Sequence, residues 1–371
     1  MPIKICHLTS AHPRTDSRIF LKMCSALASH GFEVNLVVAD GLGNSYNNNV
    51  KIVDTGRCLR GRLCRMTKGV IGVYRAAVKL NADVYHLHDP ELITIGLLLK
   101  FRGKKVIFDS HEDVQAQMLF KPYLNRFTSS IIANIYRAFE ILACSQFDGI
   151  VVATEKIESR FKSINKNIAV IRNYPIISEF QNQIEFSDKN KSICYAGGIY
   201  AERGITEICS ALTFVHAEVS FALCGVCPDQ EYMSMLERLP SWGRVKFLGN
   251  LNRKELADFY GNSMVGMVTF HPLPNHTESL PTKLFEYMSA GLPVIASNFP
   301  LWNEIIEREQ CGLCVDPLNP SSIASAIQYM MSNSAEAKKM GDRGRQAVIN
   351  KYNWQVEEKN LLAFYNQVVC F

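Results

Sequence analysis

The chain has 371 residues, of which 47% are hydrophobic and 20% charged, and its net charge is +5. This composition is that of a folded globular protein with room for two domains, and it excludes a chain that is disordered over long spans. The mild charge gives no reason to expect a nucleic-acid partner.

The amino-terminal residues have the pattern of a strand and not that of a signal peptide. The longest apolar run, Leu92 to Phe101, is about half as long as a membrane-spanning helix. We therefore expect a cytoplasmic protein that at most rests on a membrane.

The first residues predict a βαβ unit, which indicates a parallel sheet with helices on both faces. Lys4 to Thr9 is a strand, Arg18 to His30 carries an apolar stripe at helical spacing, and Val34 to Ala39 is the next strand. The loop after the first strand has polar side chains that could contact a substrate. These candidates are His12, Arg14, Asp16 and Arg18.

Residues 57 to 79 contain seven basic residues and no acidic one. Val70, Val73 and Ala77 form an apolar stripe beside Arg75 and Lys79. A basic amphipathic segment suits an anionic membrane surface or a pyrophosphate. An ordinary solvated helix face is the alternative, because such faces are common.

Two further strands end in polar residues. The strand from Asp83 ends at His88 and Asp89, and the strand from Lys105 is followed by His111. Ligands of open parallel sheets bind beyond such carboxyl ends, so these side chains are candidate ligand contacts. Packing or capping is the alternative role for any single histidine.

A second βα series begins at Ser192, where a strand is followed by Gly197-Gly198 and then by Arg203-Gly204. Farther on, the segment 270–297 contains Glu278 and Glu286 with a helix start between them. Pro281 fits the first helical position, and Gly291 and Pro293 fit the end of the helix. A helix N-terminus can bind an anion, and carboxylates accept hydrogen bonds from sugar hydroxyls. A capped, solvated helix is the alternative.

The segment 270–297 resembles the retaining glycosyltransferases of the family 4 type, which have the GT-B fold. The resemblance rests on E-x7-E followed by Ala290-Gly291 and Pro293-Val294-Ile295. The version PTKLFEYMSAGLPVIAS is most similar to the bacterial members that build O-antigen, capsule and other surface polysaccharides. The resemblance implies that Glu286 holds the ribose of a donor nucleotide and that Glu278 lies by the donor sugar.

The resemblance implies further site residues. Arg203 matches a family lysine that grips the donor diphosphate, whereas Gly198 stands where the family has an arginine, so Lys283 is the nearest replacement cation. His111 matches a histidine beside the donor sugar. We expect catalysis by His111, Glu278 and Arg203. The expected donor-binding residues are Gly197, Gly198, Arg203, Lys283, Glu278, Ser279, Leu280 and Glu286, and the weaker acceptor candidates are His12, Arg14, Asp16, His88 and Asp89.

The implied architecture is α/β, with two Rossmann-like domains facing a cleft. Residues 1–173 and a returning helix 354–371 would form the acceptor domain, 174–190 a linker, and 191–353 the donor domain. No Asp-x-Asp motif is present, so neither a metal nor another cofactor is expected. The C-x-x-C pairs Cys224/Cys227 and Cys311/Cys314 lie in apolar surroundings and are interpreted as packing residues, not as zinc ligands.

The expected function is transfer, with retention, of a hexosyl or N-acetylhexosaminyl group from a nucleotide-diphosphate sugar to a hydroxyl group. UDP is the favoured nucleotide, and the expected acceptor is a polyprenyl-diphosphate-linked glycan at the inner face of the cell membrane. A nucleotide-sugar epimerase or hydrolase, or a non-catalytic nucleotide-sugar or membrane-binding subunit, remains as an alternative. No G-x-G-x-x-G follows either opening strand, which disfavours a Rossmann dehydrogenase.

Overall fold

The computed structural model describes residues 2–57, 61–110, 126–180 and 184–370. They form two compact units, the first from Met1–Asn173 and Gln355–Phe371 and the second from Tyr174–Trp354. Each unit has its own hydrophobic core around a sheet that is wholly or mainly parallel. The expected class, two Rossmann-like α/β domains, is therefore confirmed.

The first unit contains an eight-stranded sheet in the order β3-β4-β2-β1-β5-β6-β7-β8, parallel except for the pair β3 and β4. The strands are β1 Lys4–Leu8, β2 Glu33–Val38, β3 Ser45–Asn47, β4 Val50–Asp54, β5 Val84–Leu87, β6 Lys105–Ser110, β7 Gly149–Val152 and β8 Ile168–Val170. Strands β5 and β7 are buried along their whole length, as expected where helices cover both faces of a parallel sheet.

The helices of the first unit are α1 Ser25–Ser29, α2 Gly61–Cys64, α3 Val70–Leu80, α4 Ile93–Phe101, α5 Arg126–Cys144 and α6 Glu155–Phe161. A π-helical segment, Ser17–Cys24, precedes α1, and another, Arg65–Gly69, precedes α3. Asp16 starts the first segment by accepting hydrogen bonds from the backbone N–H groups of Arg18 and Ile19. The helix predicted for 18–30 is thus present, but its first half is wound more loosely.

The second unit contains a six-stranded parallel sheet in the order β11-β10-β9-β12-β13-β14. Its strands are β9 Ser192–Ala196, β10 Ser220–Cys224, β11 Val245–Phe247, β12 Val265–Val268, β13 Val294–Ser297 and β14 Gly312–Val315. Its helices are α7 Ile205–Leu212, α8 Gln230–Glu237, α9 Arg253–Gly261, α10 Pro274–Thr277, α11 Thr282–Ser289, α12 Pro300–Glu309, α13 Pro320–Ser332 and α14 Ser334–Asn350. The last helix, α15 Trp354–Cys370, belongs to the first unit from Gln355 onwards.

Helix α11, which carries the second glutamate of the E-x7-E pattern, ends where the sequence indicates. Gly291 has φ of +69°, a conformation that glycine adopts without strain. Its N–H donates to the carbonyl of Met288, and the next N–H, of Leu292, donates to Tyr287. The start differs by one residue, because Pro281 precedes the helix and does not begin it.

The segment 174–190, expected to link the domains, packs onto the second unit. The ring of Tyr174 meets that of Phe285 edge-on with centroids 4.7 Å apart, and Phe180 and Phe186 are buried in the same core. Its short 3-10 turns, Ile177–Phe180 and Phe186–Asp188, lack the periodicity that would reveal a helix. The polar composition of this segment favoured a linker and did not indicate that its aromatic side chains pack in the core of the second unit.

Candidate functional site

The glycine turn after β9 lies against the side chain of Lys283 in the second unit. β9 pairs with β12, so the turn and the loop that follows β12 leave the same edge of the sheet. A Cβ atom on Gly197 would lie 2.7 Å from Nζ of Lys283, and one on Gly225 would lie 1.8 Å from the carbonyl oxygen of Gly197. Glycine at 197 therefore lets the turn approach this ammonium group closely, and glycine at 225 lets the backbone after β10 pack against the turn.

The side chains of Arg203 and Lys283 both pack against the ring of Phe270 beside this turn. The guanidinium carbon of Arg203 lies 4.2 Å from the ring centroid and Nζ of Lys283 lies 4.9 Å from it. Nζ of Lys283 is also 3.8 Å from the centroid of Tyr195. Desolvation lowers the pKa of Lys283 well below its usual value, and the charge of Arg203 lowers it further.

Within the described residues neither Arg203 nor Lys283 pairs with a carboxylate. Aromatic rings hold both cations in place and leave their N–H groups available to a ligand. The site therefore suits an anion with several oxygen atoms, such as a diphosphate. Gly198, the other glycine of the turn, contributes its carbonyl, which accepts a hydrogen bond from Tyr195.

Glu286 lies on the buried side of α11 and is 7% exposed. Its Oε1 accepts from Nη1 of Arg253 at 2.8 Å, and its Oε2 accepts from the hydroxyl of Tyr260 at 3.1 Å. Arg253 also pairs with Glu179. Each carboxylate oxygen has two lone pairs, so Glu286 can still accept from a ligand hydroxyl. Arg253 could not be predicted as a partner of Glu286 from the sequence, because this contact depends on α9 lying near α11.

The remaining donor candidates lie in the loop between β12 and α11. Glu278 ends the short helix α10 and is exposed. The carbonyl of Ser279 accepts from Nε1 of the buried Trp302 at 2.7 Å, and Leu280 packs against the core. This loop also contains His276, which sequence reasoning missed because a single histidine six residues before α11 carries no pattern of its own.

In the first unit, His12 lies between two carboxylates. Its Nδ1 is 3.3 Å from Asp16, and its Nε2 is 3.3 Å from Asp89. Asp89 is buried and accepts from the Thr9 hydroxyl at 2.8 Å and from the Ser10 N–H. Burial alone would raise the pKa of Asp16, but hydrogen bonds from His12 and from the Ile19 N–H outweigh it and lower the pKa to about 2. The structure thus brings three acceptor candidates together.

Arg14 does not hydrogen-bond to His12, Asp16 or Asp89 but binds residues after β2. Its Nε and Nη2 atoms donate to the two carboxylate oxygens of Asp40 at 2.8 and 2.7 Å, and Nη1 donates to Ser45 at 3.0 Å. The guanidinium therefore ties the first loop to the residues after β2. This prior engagement makes Arg14 the weakest of the acceptor candidates.

His88 belongs to a buried hydrogen-bonded chain. Its Nε2 lies 2.8 Å from Nδ1 of His7, and its Nδ1 lies 3.1 Å from Asp109, which also pairs with Arg18. His7, His86 and His88 are the one group in the described ranges whose ligand atoms, all within 4.8 Å of one another, could hold a metal ion. A metal there would have to replace the hydrogen bond between His7 and His88.

Several predicted positions cannot be placed. His111 lies outside the described residues, as does Arg60 of the basic segment.

A separate groove of about 400 Å³ runs under α9, where its lining includes Lys246, Glu255 and Asp258. None of the predicted donor residues lines that groove.

Two family models match the chain in succession. Residues 17–174 match Glycosyltransferase Family 4, and residues 177–347 match Glycosyl transferases group 1. The change from one to the other falls at the division between the two compact units.

Similar sequences bear the names of glycosyltransferases. An uncharacterised glycosyltransferase of Methanocaldococcus jannaschii, MJ1607, is 23% identical over 80% of this chain and 77% of its own length. A phosphatidyl-myo-inositol mannosyltransferase of Propionibacterium freudenreichii is 22% identical over 97% of this chain and 93% of its own. The glycogen synthase of Mycobacterium tuberculosis is 23% identical, and the match spans 44% of this chain but 39% of that protein.

Solved structures share the fold at lower sequence identity. Sucrose-phosphate synthase from Thermosynechococcus elongatus has a TM-score of 0.78 at 16% identity and covers 99% of both chains. HepE from Anabaena, solved with UDP and glucose, has a TM-score of 0.76 at 13% identity and covers 98% of this chain and 99% of its own. WaaG, a glycosyltransferase involved in lipopolysaccharide biosynthesis, has a TM-score of 0.71 at 14% identity, with coverage of 98% and 99%. The chain is a glycosyltransferase of the GT-B type, built from a family 4-type domain followed by a group 1 domain.

Proposed function

We propose that the protein transfers a sugar, with retention, from a UDP-sugar to a hydroxyl of a polyprenyl-diphosphate-linked glycan in surface-polysaccharide synthesis. The observation that carries the donor assignment is the pair Arg203 and Lys283 beside the Gly197 turn, which form no ion pair with a carboxylate among the described residues. Charge develops on the diphosphate as the sugar leaves, and preorganised cations lower the energy of that transition state. The structures of HepE with UDP and with UDP-glucose support UDP as the nucleotide.

The other roles follow from the residues around these cations. Glu286 accepts from the ribose hydroxyls and Glu278 faces the sugar, whose anomeric carbon gains positive character. The family resemblance assigns His111, which lies outside the described residues, a role beside the donor sugar. Arg203 and Lys283 neutralise the leaving diphosphate, so no metal ion is required for the transfer. The loop around His12 and Asp89 contributes to acceptor binding in the first unit.

The lipid-linked acceptor is supported by the surface of the first unit. Helices α3, α4 and α5 pack side by side and expose large apolar side chains, among them Phe101, Ile135 and Leu142. Arg75 and Lys79 on α3 are also exposed in this layer of helices. A surface that combines apolar and basic residues suits an anionic membrane. No helix in the described ranges is long and apolar enough to cross one.

The function is tested by incubating the purified protein with UDP-glucose, UDP-galactose, UDP-N-acetylglucosamine and GDP-mannose, each with and without polyprenyl-diphosphate-linked glycans. Mass spectrometry should show release of UDP and extension of the glycan only when both substrates are present. Turnover without a glycan would indicate the epimerase or hydrolase instead. Binding without turnover in any mixture would indicate the non-catalytic subunit. The same assay in EDTA tests metal independence, since restoration of lost activity by one divalent ion would contradict it.

A further inference from the structure

The geometry of His276 fixes which of its ring nitrogens carries the proton. The residue lies in α10 and is 3% exposed. Its Nδ1 is 3.0 Å from the carbonyl oxygen of His271. A carbonyl oxygen only accepts, so Nδ1 must bear the hydrogen of this bond. In the neutral ring, Nε2 therefore presents a lone pair.

The Nε2 atom has no partner in the part of the chain that the structure describes, although the rest of the ring is enclosed. Burial lowers the pKa of His276, and the positive charge of Arg203 lowers it further, against the hydrogen bond to His271, which raises it. The ring is thus held neutral, with one acceptor atom to which no described residue donates.

His276 lies next to the diphosphate cations. Its ring centroid is 5.2 Å from that of Phe270, whose ring also meets Arg203 at 4.2 Å. Glu278, proposed to face the donor sugar, follows two residues later and ends the same short helix. The ring of His276 therefore lies close to the residues proposed to bind the diphosphate and the sugar.

We propose that Nε2 of His276 accepts a hydrogen bond from a hydroxyl or amide N–H of the donor sugar and so contributes to sugar specificity. A diphosphate at neutral pH offers acceptor oxygens and no hydrogen, so it cannot satisfy this lone pair. Sugar hydroxyls and acetamido N–H groups can. The inference rests on the donor site proposed above and deepens it, because it names the imidazole of His276 as the group that recognises the sugar.

The variant His276→Asn separates recognition from loop structure. The Asn side-chain amide can replace Nδ1 as the donor to His271, but it cannot reach the position of Nε2. His276→Gln is the complement, because its longer side chain can place an amide oxygen near that position. The exposed His216 lies on another part of the unit, and His216→Asn serves as the matched control.

Affinity is measured by calorimetry for UDP and for UDP-glucose, UDP-galactose, UDP-N-acetylglucosamine and UDP-N-acetylgalactosamine. His276→Asn should weaken the tightest-binding UDP-sugar about tenfold, the effect of one lost hydrogen bond to a partly buried partner, while UDP changes less than about twofold. His276→Gln should recover most of the loss. An equal loss for UDP and the UDP-sugar, or no loss for either, would overturn the proposal.

Fluorinated analogues identify the sugar group. If UDP-glucose binds, its 2-, 3-, 4- and 6-deoxyfluoro analogues each lack one hydroxyl donor. One analogue should bind the wild type about tenfold more weakly yet lose nothing more in His276→Asn, because the two changes remove the same bond. Fully additive losses for all four analogues would reject a direct contact. A wild type that binds no UDP-sugar at all would instead overturn the donor site itself, and this inference with it.

Discussion

Arg253 donates from Nη1 to Oε1 of Glu286 across 2.8 Å, so the glutamate proposed to hold the ribose is already one half of a partly buried ion pair. The same guanidinium pairs with Glu179. Removing the carboxylate of Glu286 would therefore leave Arg253 with one fewer partner as well as removing a ligand contact. A useful test must distinguish these two effects.

Glu286→Ala should weaken UDP binding about 10- to 100-fold in calorimetry, because hydrogen bonds from ribose hydroxyls to a carboxylate contribute about 1.5–3 kcal/mol each. Glu179→Gln is the matched control, since it removes the other carboxylate of Arg253 and leaves the E-x7-E pair intact. It should bind UDP like the wild type. Equal losses in the two variants would mean that the effect comes from Arg253 and not from a ribose contact.

The sequence located Glu286 but not its environment, for a physical reason. The bounds of α11 follow from local signals, the proline at 281 and the glycine at 291, which act on neighbouring residues. The contact between Arg253 and Glu286 joins residues 33 positions apart. Such contacts depend on how the helices pack, which the spacing of residues in the sequence does not reveal.

The polar strand ends show the same limit in the first unit. Their position at the carboxyl edge of a parallel sheet could be predicted from the βαβ pattern. The pattern did not distinguish His12, whose ring is held between two carboxylates, from Arg14, whose guanidinium is committed to Asp40. It also missed that His88 is buried beside His7, because these strands are adjacent in the sheet but 81 positions apart in sequence.

Arg203→Ala should lower turnover about 10²-fold or more with a smaller effect on UDP-sugar affinity, because its charge acts mainly on the diphosphate as it leaves. The control is Arg238→Ala, which removes an exposed arginine that directly follows α8 in the same unit. Steady-state kinetics on both variants check this expectation. Wild-type turnover in Arg203→Ala would show that the match to the family lysine is misplaced.

Lys283 should take up a proton when UDP binds. Its pKa is lowered in the free protein by desolvation and by Arg203, and a diphosphate beside the ammonium favours the charged form. Calorimetry at a series of pH values, each in buffers of different ionisation enthalpy, measures this uptake. Lys283→Met, which keeps an apolar side chain against Tyr195 and Phe270, should abolish it. Binding enthalpies that do not depend on the buffer in the wild type would contradict the assignment.

The buried histidines of the first unit should make its stability depend on pH. Burial is the main cause that lowers the pKa values of His7 and His86 well below 6.5, and the charge of His88 adds to it, while Asp109 opposes it. The unfolded chain therefore binds more protons than the folded one once the pH falls below about 6.5, and stability declines with falling pH. Each group adds a slope of up to about 1.4 kcal/mol per pH unit.

Native-state hydrogen exchange on peptides from β1 and β5, between pH 5 and 7.5, measures this slope. His86→Asn removes one titrating ring while offering an amide to the Tyr365 hydroxyl, which lies 2.7 Å from Nδ1 of His86. It should reduce the slope by about half, whereas the exposed-site variant His216→Asn should not change it. A stability that stays constant over this range would mean that both rings titrate in the folded protein as they do in the unfolded chain.

The last prediction concerns the membrane-facing layer of the first unit. Phe101 is 88% exposed on α4, and Ile135 and Leu142 are each 65% exposed on α5, so large apolar side chains face outward. Arg75 and Lys79 on α3 are exposed beside them. Arg65 is less available because it pairs with Glu91 at 3.0 Å. The protein should sediment with phosphatidylglycerol vesicles at low salt.

Arg75→Ser/Lys79→Ser should weaken this binding about 30-fold, since each basic residue near an anionic leaflet contributes about 1 kcal/mol. The loss should disappear near 1 M salt, where screening shortens to about 3 Å. Phe101→Ser/Leu142→Ser should weaken binding at every salt concentration, because the apolar contribution is not screened. Arg238→Ser/Lys254→Ser, which removes two exposed charges from the second unit, should change neither. A wild type that ignores anionic vesicles at all salt concentrations would make this layer an ordinary solvated face and would favour a soluble acceptor.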